Sequence, residues 1–276
     1  MPVWRHPRGA MVSEYTLALS EAELGRYQMM ARQAVAREAS QLAAAGVVAG
    51  ATVADIGCGP AAMSIELARL VGPSGQVMAV ERDKQALAAA AILIQRSEAR
   101  NVSLHEAGAT ATGLEPGSVD VVMLRHVLAH NGGHEQAIVD HLATLIRPGG
   151  SVYLVDGDQS AARFLDIDPD LDDLMTRYLE FHRRRGNDPA IGLRLARLLA
   201  AAGLEVTSFE GAYNILTAPP GMRPPAWAAR DAMLADGIVD DDVLHRWETA
   251  LARHDSAPVR LTVFAPGFIA IGRRSA

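Results

Sequence analysis

The chain has 276 residues, of which 49% are apolar and 21% charged, with a formal net charge of −6. That is enough for one large domain with a sizeable core, and the acidic balance, without a basic face, argues against a nucleic-acid partner. A single cysteine, Cys58, rules out an intrachain disulfide and fits a reducing cytoplasm, while no apolar run approaches the ~20 residues that would cross a bilayer.

Residues 1–19 read as a flexible, basic N-terminus without the apolar stretch of a signal peptide. Ser20-Glu21-Ala22-Glu23 reads as a capping box. Leu24, Tyr27, Ala31, Val35, Ala39 and Leu42 then recur at helical spacing until Gly46, which predicts a helical cover over 20–50. Thr52–Ile56 is a short buried-strand pattern, followed by a helix over Ala62–Leu70. A second strand, Val77–Glu81, precedes a second helix, Lys84–Gln95. Val102–His105 and Val119–Leu124 are the third and fourth strands, His134–Ile146 is a helix, and Ser151–Val155 is the fifth strand. Strand alternating with helix implies parallel strands joined by right-handed crossovers.

Beyond this point the pattern is less regular. Asp168-Pro169 and Asp188-Pro189 each read as an N-cap followed by proline, which starts helices over 170–184 and 189–202. Leu204–Leu216 is β-like, Arg223–His254 reads as two helices split at Gly237, and Leu261–Ile271 is a last strand. The expected division is a single domain over 20–276, with a core at 51–217, a helical lid at 218–260 and a final strand at 261–276.

The strongest chemical signal is Asp55-Ile56-Gly57-Cys58-Gly59-Pro60-Ala61-Ala62, which joins a strand to a helix. Glycines let the backbone turn tightly and approach a ligand, and the helix start offers free N–H groups. Glu81 ends the next strand, where an acid can take both hydroxyls of a ribose. These features alone fit either a dinucleotide or S-adenosylmethionine (SAM). The combination resembles the class I SAM-dependent methyltransferases, because Asp55 sits two residues before the first glycine. Asp120-Val121-Val122 and the later Arg147-Pro148-Gly149-Gly150 also look like that family. The similarity is closest to small-molecule enzymes of the ubiquinone and menaquinone type and their natural-product relatives.

The resemblance implies a Rossmann-like, doubly wound, mostly parallel α/β sheet of seven strands in the order 3-2-1-4-5-7-6. It also implies SAM as cofactor, with S-adenosylhomocysteine as product. Asp55, Gly57, Cys58 and Gly59 would line the methionine part, Glu81 would hold the ribose, and Arg82 would flank the adenine. Gly108-Ala109-Thr110 matches the adenine-edge loop, although Ala109 stands where the family usually has aspartate. Arg125, after the fourth strand, would meet the methionine end, and Tyr27 on the cover helix joins the cofactor-binding set.

For chemistry beyond the cofactor, His126 and His130 follow the fourth strand, on the edge that faces substrate in open sheets. One of them is a candidate general base, against the commoner reading of such residues as hydrogen-bonded structural histidines. A metal site needs three or four convergent ligands, and none is expected. Absent motifs narrow the substrate further: Leu124-Arg125-His126-Val127 replaces the Asn/Asp-Pro-Pro-aromatic tetrapeptide of nucleic-acid amino-methyltransferases. The expected activity is methylation of O, N or C of a small, partly apolar metabolite. The rivals are a SAM-binding protein without methyl transfer and an NAD(P)-dependent oxidoreductase.

Overall fold

The computed structural model describes residues 21–276, without the side chains of Ala22 and Glu23. The expected flexible N-terminus and the Ser20 cap lie outside the described residues. In chain order the elements are α1 (Glu21–Arg37), α2 (Ala39–Ala45), β1 (Thr52–Ile56), α3 (Ala62–Val71), β2 (Gln76–Glu81), α4 (Lys84–Ser97), β3 (Val102–Glu106), β4 (Val119–Arg125) and α5 (Glu135–Leu145). They continue with β5 (Ile146–Gly157), β6 (Arg163–Leu165), α6 (Pro169–Arg184), α7 (Leu195–Ala201), β7 (Glu205–Thr217), α8 (Pro225–Ala228), α9 (Arg230–Ala235), α10 (Asp241–Ser256) and β8 (Thr262–Arg273).

The strands form one sheet in the order 3-2-1-4-5-8-7, with the short β6 extending the β5 edge along β8. β1 to β5 run parallel, and β8 runs antiparallel between β5 and β7. This is the expected order once the three-residue β6 is counted. The central strands have apolar, fully buried middles: Val53 and Ala54 of β1 and Val121 to Met123 of β4 have no exposed surface, as parallel strands covered on both faces require. One side packs against α5 and α7 through Ile138, Leu142, Leu195 and Leu199. The other packs against α1 to α3 through Ala34, Leu42, Ile65 and Leu67.

Three expectations are corrected. The cover is two helices, broken at Glu38 (φ −104°, ψ 15°). There the carboxylate turns inward to Arg125 and Tyr153. Asp188 does cap a turn, accepting from the Ala190 N–H at 2.9 Å. That turn is a 3-10 segment, Ile191–Arg194, and the α-helix begins only at Leu195. Arg223–His254 holds three helices, not two.

The helices of 218–260, expected as a lid, pack against α6. Leu171, Leu174, Tyr178 and Phe181 of α6 form one apolar cluster with Met233, Trp247 and Leu251. Arg253 of α10 pairs with Asp168 and Asp170 at the α6 N-terminus. The acidic run there therefore serves as a helix cap and an interhelix clamp.

Candidate active site

The site is built where β1, β2, β4 and β5 end together. β1 delivers Asp55 and then leaves the sheet at Gly57 (φ +71°). A Cβ there would also fall 2.5 Å from Val127 Cγ2, so the position demands glycine twice over. The turn continues through Gly59 (φ +52°) and Ala61, which is left-handed although not glycine (φ +61°). The N–H groups of Gly57 and Cys58 both donate to the Val80 carbonyl, at 2.8 and 3.0 Å, and draw the loop over the end of β2.

Glu81, 7% exposed, stands at that end. Its carboxylate accepts from the backbone N–H groups of Gly59 (3.0 Å), Arg82 (2.8 Å) and Asp83 (3.0 Å). A carboxylate has about four lone-pair sites, so this cradle fixes the group and leaves capacity for a ligand. Asp55 is 2% exposed, and among the described residues its side chain has a single hydrogen bond, donated by Ser64 Oγ at 2.6 Å. Burial pushes its pKa up to about 6; the Ser64 bond and the Arg125 charge oppose this, and Glu81 adds to it. Cys58 is buried beside both acids, which raise its thiol pKa further above the burial effect. It is a packing residue of the loop and no nucleophile.

The remaining sequence-predicted residues are placed as follows. Arg82 is exposed directly after Glu81. Ala109 is half-buried against the core and Thr110 exposed, in a turn closed by a Gly108–Ala111 bridge. Tyr27 lies half-buried on α1, with the Arg26 guanidinium 4.9 Å above its ring. Arg125 turns toward the cover: both its amino groups bind Glu38, one at 3.0 Å, and Tyr153 donates to the same carboxylate at 2.9 Å. This near-buried triad ties the helix break to β4 and β5, and Arg125 reaches Asp55 only through its charge.

His126 follows β4 in a left-handed conformation (φ +55°), uncommon for histidine, and its N–H donates to the Val155 carbonyl at 2.8 Å. Such strain persists where the surroundings over-determine it. The ring is 54% exposed, with Nδ1 3.9 Å from Oδ1 of Asp156. His130 ends a single 3-10 turn, Leu128–His130. It reaches solvent yet sits deep among protein atoms, as a cleft wall does, and that setting lowers its pKa.

Asp156, at the end of β5, escaped the sequence reading. It is 3% exposed and accepts from the N–H groups of Gly157 (2.9 Å) and Ala129 (3.3 Å). Its signal was present: an acid closing a buried strand, the pattern that marked Glu81. Glu38 was legible too, an acid at helical spacing among Val35 and Leu42.

Two buried groups give stability opposite pH dependences. His182, 3% exposed, has its pKa lowered by burial to about 4, so acidification from 6.5 toward 4 protonates the unfolded chain first and withdraws about 3 kcal/mol. Asp55 is raised from 3.8 to about 6, so the native state takes up its proton first and gains a similar amount as pH falls through that window. Asp55→Asn removes the second effect. Its melting temperature at pH 7 is expected to rise, by up to about 3 kcal/mol of stability, and to fall more steeply than the wild type below pH 6. An unchanged melting curve across pH 4–7 would contradict the buried-carboxylate assignment.

Comparison with known proteins agrees with this geometry. The strand order, the glycine turn after β1 and the acid closing β2 define the class: a Rossmann-like methyltransferase fold. Residues 48–182, just under half of the chain, match the family model described as a methyltransferase domain, and this likeness supports SAM as the cofactor. A ubiquinone biosynthesis O-methyltransferase of Cupriavidus pinatubonensis is 39% identical over 108 residues, covering 39% of this chain and 41% of that protein. Across the curated relatives matched, the chain covers 41 to 50% of their length. The fold matches a SAM-dependent methyltransferase from Aquifex aeolicus with a TM-score of 0.52, at 13% identity, covering 91% of this chain and 99% of that one. It also matches the cyclase SpnF, with a TM-score of 0.54 at 16% identity, covering 90% and 81%. Among the described residues no helix is long and apolar enough to cross a membrane.

Proposed function

We propose that the protein is a methyltransferase that moves the methyl group of SAM to a hydroxyl of a small, partly apolar metabolite. The carrying observation is the end of β4 and β5, where a strained His126 stands within ion-pair reach of the buried Asp156. The residues at the glycine loop fit the cofactor. Asp55 is a buried carboxylate with one hydrogen bond, suited to an ammonium group, and Glu81 is a pre-oriented acceptor suited to ribose hydroxyls. Gly57 and Gly59 keep the wall free of side chains, Arg82 and Thr110 border the adenine side, and Ala109 supplies only apolar contact there. Arg125 acts one step back, holding the cover through Glu38. SAM supplies an electrophilic methyl group on a sulfonium.

The chain's own residues then have two tasks. The first is positioning, which supplies ~7–11 kcal/mol in well-oriented systems. The second is proton transfer: His126 takes the acceptor's hydroxyl proton, and the Asp156 carboxylate compensates the charge that forms on the ring. The likeness to the ubiquinone biosynthesis O-methyltransferase supports an oxygen acceptor.

The cyclase among the fold neighbours keeps a second reading in view, a SAM-binding protein with other chemistry. Transfer of a labelled methyl group from SAM to hydroxylated ring acceptors, with release of S-adenosylhomocysteine, separates the two. Tight SAM binding with no labelled product over a broad acceptor panel would favour the second.

A further inference from the structure

The sheet ends in two edges that are guarded unequally. β3 closes one side with five residues and ends in Glu106, whose carboxylate lies 3.5 Å from the Lys84 ammonium. β7 closes the other with thirteen, and among the described residues it pairs with β8 alone. Edge strands are ordinarily short, charged or broken by proline, because a row of unpaired N–H and C=O groups recruits another strand. β7 has no such guard over residues 208–216. That run keeps an unbroken register with β8, holds no Lys, Arg or Pro, and carries one charge, Glu210.

The side chains beside this edge are open as well. Phe209, Tyr213 and Ile215 alternate along one face and are 44, 56 and 65% exposed. Residues directly paired across strands share a face, so Phe264 and Phe268 of β8, opposite Ile215 and Gly211, lie on that face too. Three of the five phenylalanines of the chain therefore gather here, and the rings of Phe209 and Phe268 stack with centroids 6.0 Å apart. On the opposite face, Arg37 of α1 donates to the Asn214 amide oxygen at 3.2 Å, and Gln41 of α2 donates to the Glu210 carboxylate at 2.9 Å.

We propose that β7 pairs with β7 of a second copy of this chain, antiparallel about a two-fold axis at Ala212. This register sets Phe209 opposite Ile215 of the second copy, and Tyr213 opposite Gly211, which has no side chain to meet it. It also sets Glu210 opposite Asn214, the residue that Arg37 holds. The two-fold makes that opposite-charge contact twice. A register centred on Glu210 would instead set two carboxylates against each other, which is destabilising. The nine residues 208–216 span about 30 Å at ~3.4 Å each. With side chains on both faces, such a seam buries on the order of 600 Å² per copy, and the total of ~1,200 Å² exceeds the ~1,000 Å² that a specific contact needs. The charge contact and the area favour a second copy over a foreign strand. The pairing is independent of what the protein methylates.

The test is sedimentation of the full chain over a range of concentrations, without cofactor, where a reversible dimer is expected. Tyr213→Lys with Ile215→Lys changes two exposed positions. This double variant is expected to melt as the wild type does and to raise the dissociation constant at least ~10-fold, because like charges then meet across the seam. Glu210→Arg is expected to weaken the dimer, and Glu210→Arg with Arg37→Glu to restore it. Ala212→Cys is expected to be captured as a dimer by a short bismaleimide, since the native Cys58 is buried, whereas Ile92→Cys, exposed on α4, is not. A monomer at every concentration, a dimer that the lysine variant leaves intact, a charge swap without rescue, or a dimer with no capture at Ala212→Cys overturns the proposal. So does a monomer that dimerises only after deletion of residues 1–19, because that segment would then be the occupant of the edge.

Discussion

Replacing His126 by alanine is expected to lower methyl transfer by ~10²- to 10⁴-fold while SAM binding stays intact, the range removed with a positioned general base. The residue sits in a left-handed conformation uncommon outside glycine, and its ring faces solvent beside a carboxylate that is almost fully buried. A hydroxyl must lose its proton as the methyl arrives, and His126 stands where it can take it. Asp156→Asn keeps an acceptor oxygen for only one of the Gly157 and Ala129 N–H groups and removes the charge beside the ring, and it is expected to give a smaller loss. Steady-state rates of labelled product decide the matter. A variant with wild-type turnover would leave catalysis to positioning alone.

Glu81→Ala carries the second large effect. The carboxylate is held by three backbone N–H donors, so it meets a ribose without reorganising. Hydrogen bonds to charged groups contribute ~1.5–3 kcal/mol each, which sets the expected loss of SAM affinity at ~10- to 150-fold. The same truncation strips the Gly59 N–H of its acceptor inside a buried loop, so the variant should also melt at a lower temperature. Glu81→Gln keeps one acceptor oxygen and is expected to fall between the two. Calorimetry on folded protein separates affinity from stability, and unchanged affinity in Glu81→Ala would remove the residue from the site.

Most of the fold was legible because the parallel strands carry buried, mainly apolar runs, and the helices between them carry a clear periodicity. Legibility failed where long-range contacts outweighed local pattern. β6 has three residues and exists only because the far half of β8 offers it an edge. The break at Glu38 follows from a carboxylate drawn to Arg125 and Tyr153, 87 and 115 residues away in the chain. The delayed start of α7 reflects a 3-10 turn that Asp188-Pro189 does not announce. In the site, the glycine loop and Glu81 were readable because backbone geometry demands those residue types. Asp156 was overlooked because one acid after a buried strand says nothing of its neighbour across the sheet. The acceptor side depends on α6, whose placement over the β4 turn rests on contacts such as Gly132 against Gly186 that no periodicity encodes.

The most direct measurement of the central claim is a calorimetric titration of the wild-type chain with S-adenosylhomocysteine, with NAD as control. The account predicts one saturable site for S-adenosylhomocysteine, a matching rise in melting temperature because the ligand binds the native state alone, and no response to NAD. No heat and no thermal shift with millimolar S-adenosylhomocysteine, together with a clear shift from NAD, would contradict it.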